Sequence, residues 1–143
     1  MITVRFTRLS DLVAIPTRAR EGDAAVDLAS AEEFSLAPGE RYAVHTGIAV
    51  EIPPGYAGFV FSRSGHAYRT GVSFANSVGV IDSGYRGEIL VALVNHSDRK
   101  VDFARADRIA QLVILPIPDV EFVEVAELAT SERGTGGYGS TGR

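Results

Sequence analysis

Several short stretches of this chain carry side chains suited to chemistry rather than packing. Ser62-Arg63-Ser64-Gly65 sets a guanidinium beside a hydroxyl, a pairing that binds oxyanions through charge-assisted hydrogen bonds. A solvated arginine in a strand-ending turn is the plainer reading, and both stay open. Asp82 lies among turn-formers within Asn76–Ile89. It is either an ordinary turn aspartate or a carboxylate aimed into a cleft. Asp107-Arg108-Ile109-Ala110-Gln111-Leu112 puts polar groups in front of an apolar strand, either for a site or for a strand-entry salt bridge.

The C-terminal run Arg133 to Gly142 holds no aliphatic residue. Gly134, Gly136 and Gly139 satisfy the spacing of a dinucleotide-binding loop, but that loop must lead into a helix, and no room for one follows Gly139. The P-loop pattern fails too, because Ser140 stands where it needs lysine. What remains is the physical core of those motifs. Glycines let backbone N–H groups approach an oxyanion, Ser140 and Thr141 add hydroxyls, and Arg133 adds charge. Tyr138, alone among glycines, suits stacking on a planar base. A solubilising tail is the bland alternative.

Composition narrows the chemistry. The 143 residues, 45% hydrophobic and 22% charged, suit one globular domain. There is no cysteine, so disulfides, thiolate nucleophiles and cysteine-ligated zinc are excluded. His45, His66 and His96 are too scattered for a local metal motif. If a metal is used, oxygen ligands and magnesium are the expected chemistry. A formal charge of −4 argues against long nucleic acid as a ligand. No membrane-length apolar run or export signal occurs, so a cytoplasmic protein is expected.

The elements that must position these groups read as strands. Glu40–Ile52, Ala57–Phe61, Glu88–Asn95, Ala110–Leu115 and Val120–Val125 are rich in β-formers, and turn residues separate them. Helical periodicity is confined to one short turn after Ser64. Asn76–Ile89 predicts a β-hairpin, whose edge N–H and C=O groups can pair with a planar ligand. The expectation is an all-β, jelly-roll-like barrel or sandwich: one domain over 1–143, with a β core to about 130 and a flexible glycine-rich arm from about 131.

These segments, in order, resemble the five motifs of the trimeric all-β dUTPases. Asp23-Ala24-Ala25-Val26-Asp27-Leu28 is similar to the first and Arg63-Ser64-Gly65-His66-Ala67 to the second. Gly79 to Ile89 is similar to the third, Arg108-Ile109-Ala110-Gln111-Leu112 to the fourth, and Arg133 to Gly142 to the fifth. The chain departs from the family pattern at Ser62 (usually proline), His66 (usually leucine or methionine), and Ala25 and Ala106 (commonly glycine).

The resemblance implies hydrolysis of dUTP to dUMP and pyrophosphate by water attack on the α-phosphorus, assisted by Mg²⁺. Such a reaction limits uracil incorporation into DNA and supplies dUMP for thymidylate synthesis. Asp82 is implied as the water-activating base, and Asp27 as the magnesium-side carboxylate acting through water. Ser64, Gln111, Ser140 and Thr141 are implied phosphate contacts and Gly65 and Gly139 further substrate contacts, with Arg63 and Arg133 neutralising charge. Asn76, Val80, Ile81 and Leu90 are implied to read uracil, Tyr85 to pack under deoxyribose, and Tyr138 to stack on the base. The resemblance also implies a homotrimer with shared sites. A dCTP deaminase-type relative and a non-catalytic dUTP-binding regulator are the rival readings.

Overall fold

In the computed structural model, which describes residues 1–137, nearly all of the regular secondary structure is antiparallel strand. They are β1 (Arg5–Arg8), β2 (Val26–Ala29), β3 (Phe34–Leu36), β4 (Arg41–Glu51), β5 (Tyr56–Ser62), β6 (Val72–Phe74), β7 (Val78–Ile81), β8 (Glu88–Asn95), β9 (Val101–Phe103) and β10 (Arg108–Pro116). One sheet runs β1-β4-β8-β6 and a second runs β2-β10-β5-β7, while β3 and β9 form a two-stranded ribbon. The all-β jelly-roll-like expectation holds. A short helix, α1 (Ser64–Thr70), occupies the place where a single turn was expected.

Side-chain alternation explains the layering. Along β8, Ile89, Val91, Leu93 and Asn95 are buried, and the residues between them are more accessible, the period-two signature of a strand with one face on a core. Val44, Ile48, Val50, Val60 and Leu112 complete that core from β4, β5 and β10. Buried Asn95 is satisfied: its amide donates to the carbonyls of Leu36 and Arg99 at 3.0 and 2.8 Å. The pairing of β4 with β8 slips between His45 and Ala49. Gly47 sits in this bulge at φ 66°, where a methyl group would also overlap the Val13 side chain. Glycine avoids both penalties.

Two expectations about local structure are corrected. Val120–Val125 is not a strand, and Val120, Phe122, Val123 and Val125 are exposed. The last strand among the described residues ends at Pro116. Apolar content alone does not make a strand, because the backbone needs an edge to pair with. The Asn76–Ile89 segment is not a hairpin of paired strands either: β7 pairs with β5, whereas β8 pairs with β4 and β6. The turn at Asp82–Tyr85, closed by a 3.0 Å bond from Tyr85 N–H to the Asp82 carbonyl, carries the chain from one sheet to the other.

Candidate active site

One group of the expected residues converges where β2, β5 and β10 meet. Asp27 and Gln111 are cross-strand partners, and Gln111 faces Phe61 on its other side. Gln111 Nε2 donates to the Ser62 carbonyl at 3.1 Å, fixing the end of β5. The chain then turns into α1 and brings Arg63 back over β2. Arg63 Nε meets Asp27 Oδ1 at 3.0 Å, and Arg108 Nη1 meets Asp27 Oδ2 at 3.1 Å. Arg63 also donates to the Arg108 carbonyl at 3.2 Å. Of the two readings of Arg108, the strand-entry ion pair is the one present.

Asp27, Arg63, Ser64 and Gln111 line an open cavity of about 570 Å³, together with Asp23 and Arg69. That volume suits a small ligand. Among the described residues no set of three or more His, Asp or Glu side chains could hold a metal. The donor set nevertheless fits magnesium, which keeps most of its waters and takes one or two carboxylates plus substrate phosphates. Among the described residues each Asp27 oxygen meets a single arginine, which leaves it a lone pair for a bound water.

A second group lies elsewhere. Ile81 is opposite Gly58, near the start of β5, whereas Arg63 and Ser64 follow its end at Ser62. The four residue steps between Gly58 and Ser62 amount to about 13 Å of strand. Asp82 is exposed beyond Ile81, so one chain does not bring it to the Asp27 cavity. Around it Val80, Tyr85 and Leu90 are exposed, as is Asn76 in the preceding turn. β7 is an edge strand, and its outer side leaves backbone groups for a ligand.

Glu88 organises this second region, and sequence reasoning gave it no role. Its Oε1 accepts the Gly47 N–H at 2.7 Å and its Oε2 meets His45 Nδ1 at 2.8 Å. Its backbone carbonyl accepts the Tyr85 hydroxyl at 2.8 Å. The hydrogen bond to Glu88 raises the His45 pKa above its ordinary value, more than partial burial lowers it. His66 moves the other way, lowered first by burial and then by the Arg63 charge. Its ring lies 5.6 Å from that of Phe103.

Among the described residues Arg133 bonds only locally, with Nε donating to the Gly136 carbonyl at 2.9 Å. Tyr138, Gly139, Ser140 and Thr141 lie outside the described residues.

The dUTPase family model matches residues 11–142. The chain belongs to the dUTPase family. It is 52% identical to a deoxyuridine 5'-triphosphate nucleotidohydrolase of Gloeobacter violaceus, covering 99% of this chain and 97% of that protein. A protein of the same name from Mycobacterium tuberculosis is 50% identical, covering 98% and 95%. The dUTPase of Staphylococcus bacteriophage 80alpha with dUPNHPP superposes with a TM-score of 0.93 at 32% identity, with full coverage of both chains. A mutant dUTPase of phage phi11, whose structure describes a coordinated structural Mg(II) ion, gives 0.83 at 30% identity, covering 90% of this chain and all of that one. This dUTPase is thus a hydrolase of nucleotide metabolism.

Proposed function

We propose that this dUTPase hydrolyses dUTP to dUMP and pyrophosphate, at sites completed between copies of the chain in a homotrimer. The observation that carries the reading is the separation along β5. Asp27, Arg63, Ser64 and Gln111 gather beyond its end, while Asp82 lies beside its start. Neither group alone serves a whole nucleotide, so a second copy supplies the missing half.

Asp82 orients a water and takes its proton as the oxygen attacks the α-phosphorus. The new P–O bond forms, the bond to the bridging oxygen breaks, and pyrophosphate departs. Positioning and charge neutralisation do most of the work. Ser64, Gly65 and Gln111 hold phosphate oxygens, and Arg63 adds charge. Asp27 would hold Mg²⁺ through water, and the ion would further neutralise the triphosphate. Asn76, Val80, Ile81 and Leu90 frame the uracil edge, and the Tyr85 ring fills the space a 2′-hydroxyl needs. Arg133, Gly139, Ser140 and Thr141 contribute further contacts to the phosphates, and Tyr138 stacks on the base. Limiting uracil in DNA and supplying dUMP follow from this activity.

Pyrophosphate release across dUTP, dTTP, dCTP and UTP, with and without Mg²⁺, tests the reading. Release from dUTP alone, dependent on Mg²⁺, is expected. Ammonia release from dCTP would instead identify a deaminase, and a monomer by light scattering would remove the shared site.

A further inference from the structure

Among the described residues, the cavity beyond β5 contains one cation without a partner. Arg63 and Arg108 are both committed to Asp27. Arg69, on the last turn of α1, also lines the cavity. Among the described residues its guanidinium forms no ion pair or side-chain hydrogen bond; its backbone carbonyl accepts from Arg99 at 3.4 Å. Helical side chains lean toward the preceding turn, so residues four apart stack on one face. Arg69 accordingly reaches back over Gly65, where a methyl group would lie 3.2 Å from both terminal nitrogens. The absence of a side chain at Gly65 lets the guanidinium lie close above the Arg63-Ser64-Gly65 backbone.

Charge makes this position consequential. The lining carries two carboxylates, Asp23 and Asp27, against two guanidinium groups, Arg63 and Arg69. Removing Arg69 leaves the lining net negative, which repels a polyphosphate. The uracil-reading and water-activating groups belong to the other region, so the phosphate chain is the part of the substrate left for this cavity.

We propose that Arg69 binds the pyrophosphate portion of the substrate, acting as the uncommitted cation that captures the leaving group while Arg63 stays tethered to Asp27. This rests on the dUTP-hydrolysing function proposed above. A planar guanidinium suits paired phosphate oxygens better than an ammonium does.

The test uses the full-length chain and calorimetric titration with magnesium pyrophosphate and, separately, dUMP. Arg69→Gln is expected to weaken pyrophosphate binding about 10- to 100-fold, the range of a charge-assisted hydrogen bond. Binding of dUMP should stay within about twofold, and Arg69→Lys should recover part of the loss. The KM for dUTP should rise in parallel with the pyrophosphate effect. Unchanged pyrophosphate affinity in Arg69→Gln overturns the proposal, as does an equal loss for dUMP, which marks a structural role. Arg69-dependent pyrophosphate binding by a chain that does not hydrolyse dUTP sustains the assignment and sinks the hydrolase reading instead.

Discussion

Arg63 Nε holds Asp27 Oδ1 at 3.0 Å, and the carboxylate is only 18% exposed. Replacing Asp27 by Asn preserves shape but leaves Arg63 and Arg108 without a shared counter-ion. A loss of about 1–3 kcal/mol is expected from these bonds to a charged group. The Mg²⁺ concentration for half-maximal rate should also rise, by at least about tenfold, as when residues supporting a bound metal are removed. Thermal melting and a magnesium titration of pyrophosphate release measure both. A variant with unaltered melting and metal dependence would take Asp27 out of both roles.

Asp82 is exposed, and its side chain makes no hydrogen bond among the described residues; only its carbonyl serves the turn. Asp82→Asn should therefore keep the fold and nucleotide binding while losing about 10²- to 10⁴-fold in turnover, the usual worth of a general base. Single-turnover kinetics on dUTP decide it. Near-normal turnover excludes Asp82 as the base.

Tyr85 is held from two sides. Its hydroxyl donates to the Glu88 carbonyl at 2.8 Å, and a methyl group on Gly87 would overlap that hydroxyl and its ring carbon. Tyr85→Ala should narrow the preference for dUTP over UTP. Gly87→Ala should narrow it as well by displacing the ring, although residue 85 is unchanged. The ratio of kcat/KM for the two nucleotides reads both variants, and constant ratios would deny Tyr85 its part in sugar selection.

Ala106, where the family commonly has glycine, adopts φ 68°. A left-handed conformation costs a residue with a Cβ about 1–2 kcal/mol, and the greater unfolded-state freedom of glycine offsets part of any gain. Ala106→Gly should raise Tm by a few degrees, about 2–4 °C per kcal/mol for a chain of this size. An equal or lower Tm would mean that the neighbouring structure already relieves the strain.

The fold class was legible because strand alternation and turn residues are local signals. Partner choice was not. Asp82-Ser83-Gly84 announces a turn, yet nothing local tells whether the next strand rejoins β7 or crosses to β4. Val120–Val125 has strand composition but no paired edge among the described residues. The separate Asp27, Arg63 and Gln111 motifs were visible, but their meeting depends on β2, β5 and β10 being neighbours. Arg69 was missed for a simpler reason. Reading only one turn after Ser64 hid the four-residue spacing that puts it over Gly65.

His45 and His66 should give the stability profile two opposed slopes about their ordinary value of 6.5. The His45 pKa is raised, chiefly by Glu88 with Glu32 nearby. Its contribution is full below 6.5 and is lost as pH rises through the folded-state value. The His66 pKa is lowered, by burial and by Arg63 and Arg69 against the Arg108 carbonyl and Asp107. Its contribution is present above 6.5 and is lost as pH falls through the folded-state value. Its Nδ1 is also buried without a partner among the described residues, a cost at any pH. His66→Leu should therefore melt higher than the parent throughout roughly pH 5 to 8, with the excess growing toward acid. His45→Gln should instead flatten the decline on the alkaline side. Melting curves across that range distinguish the two. A His66→Leu profile parallel to the parent below 6.5 would show that protonation of this ring does not oppose folding.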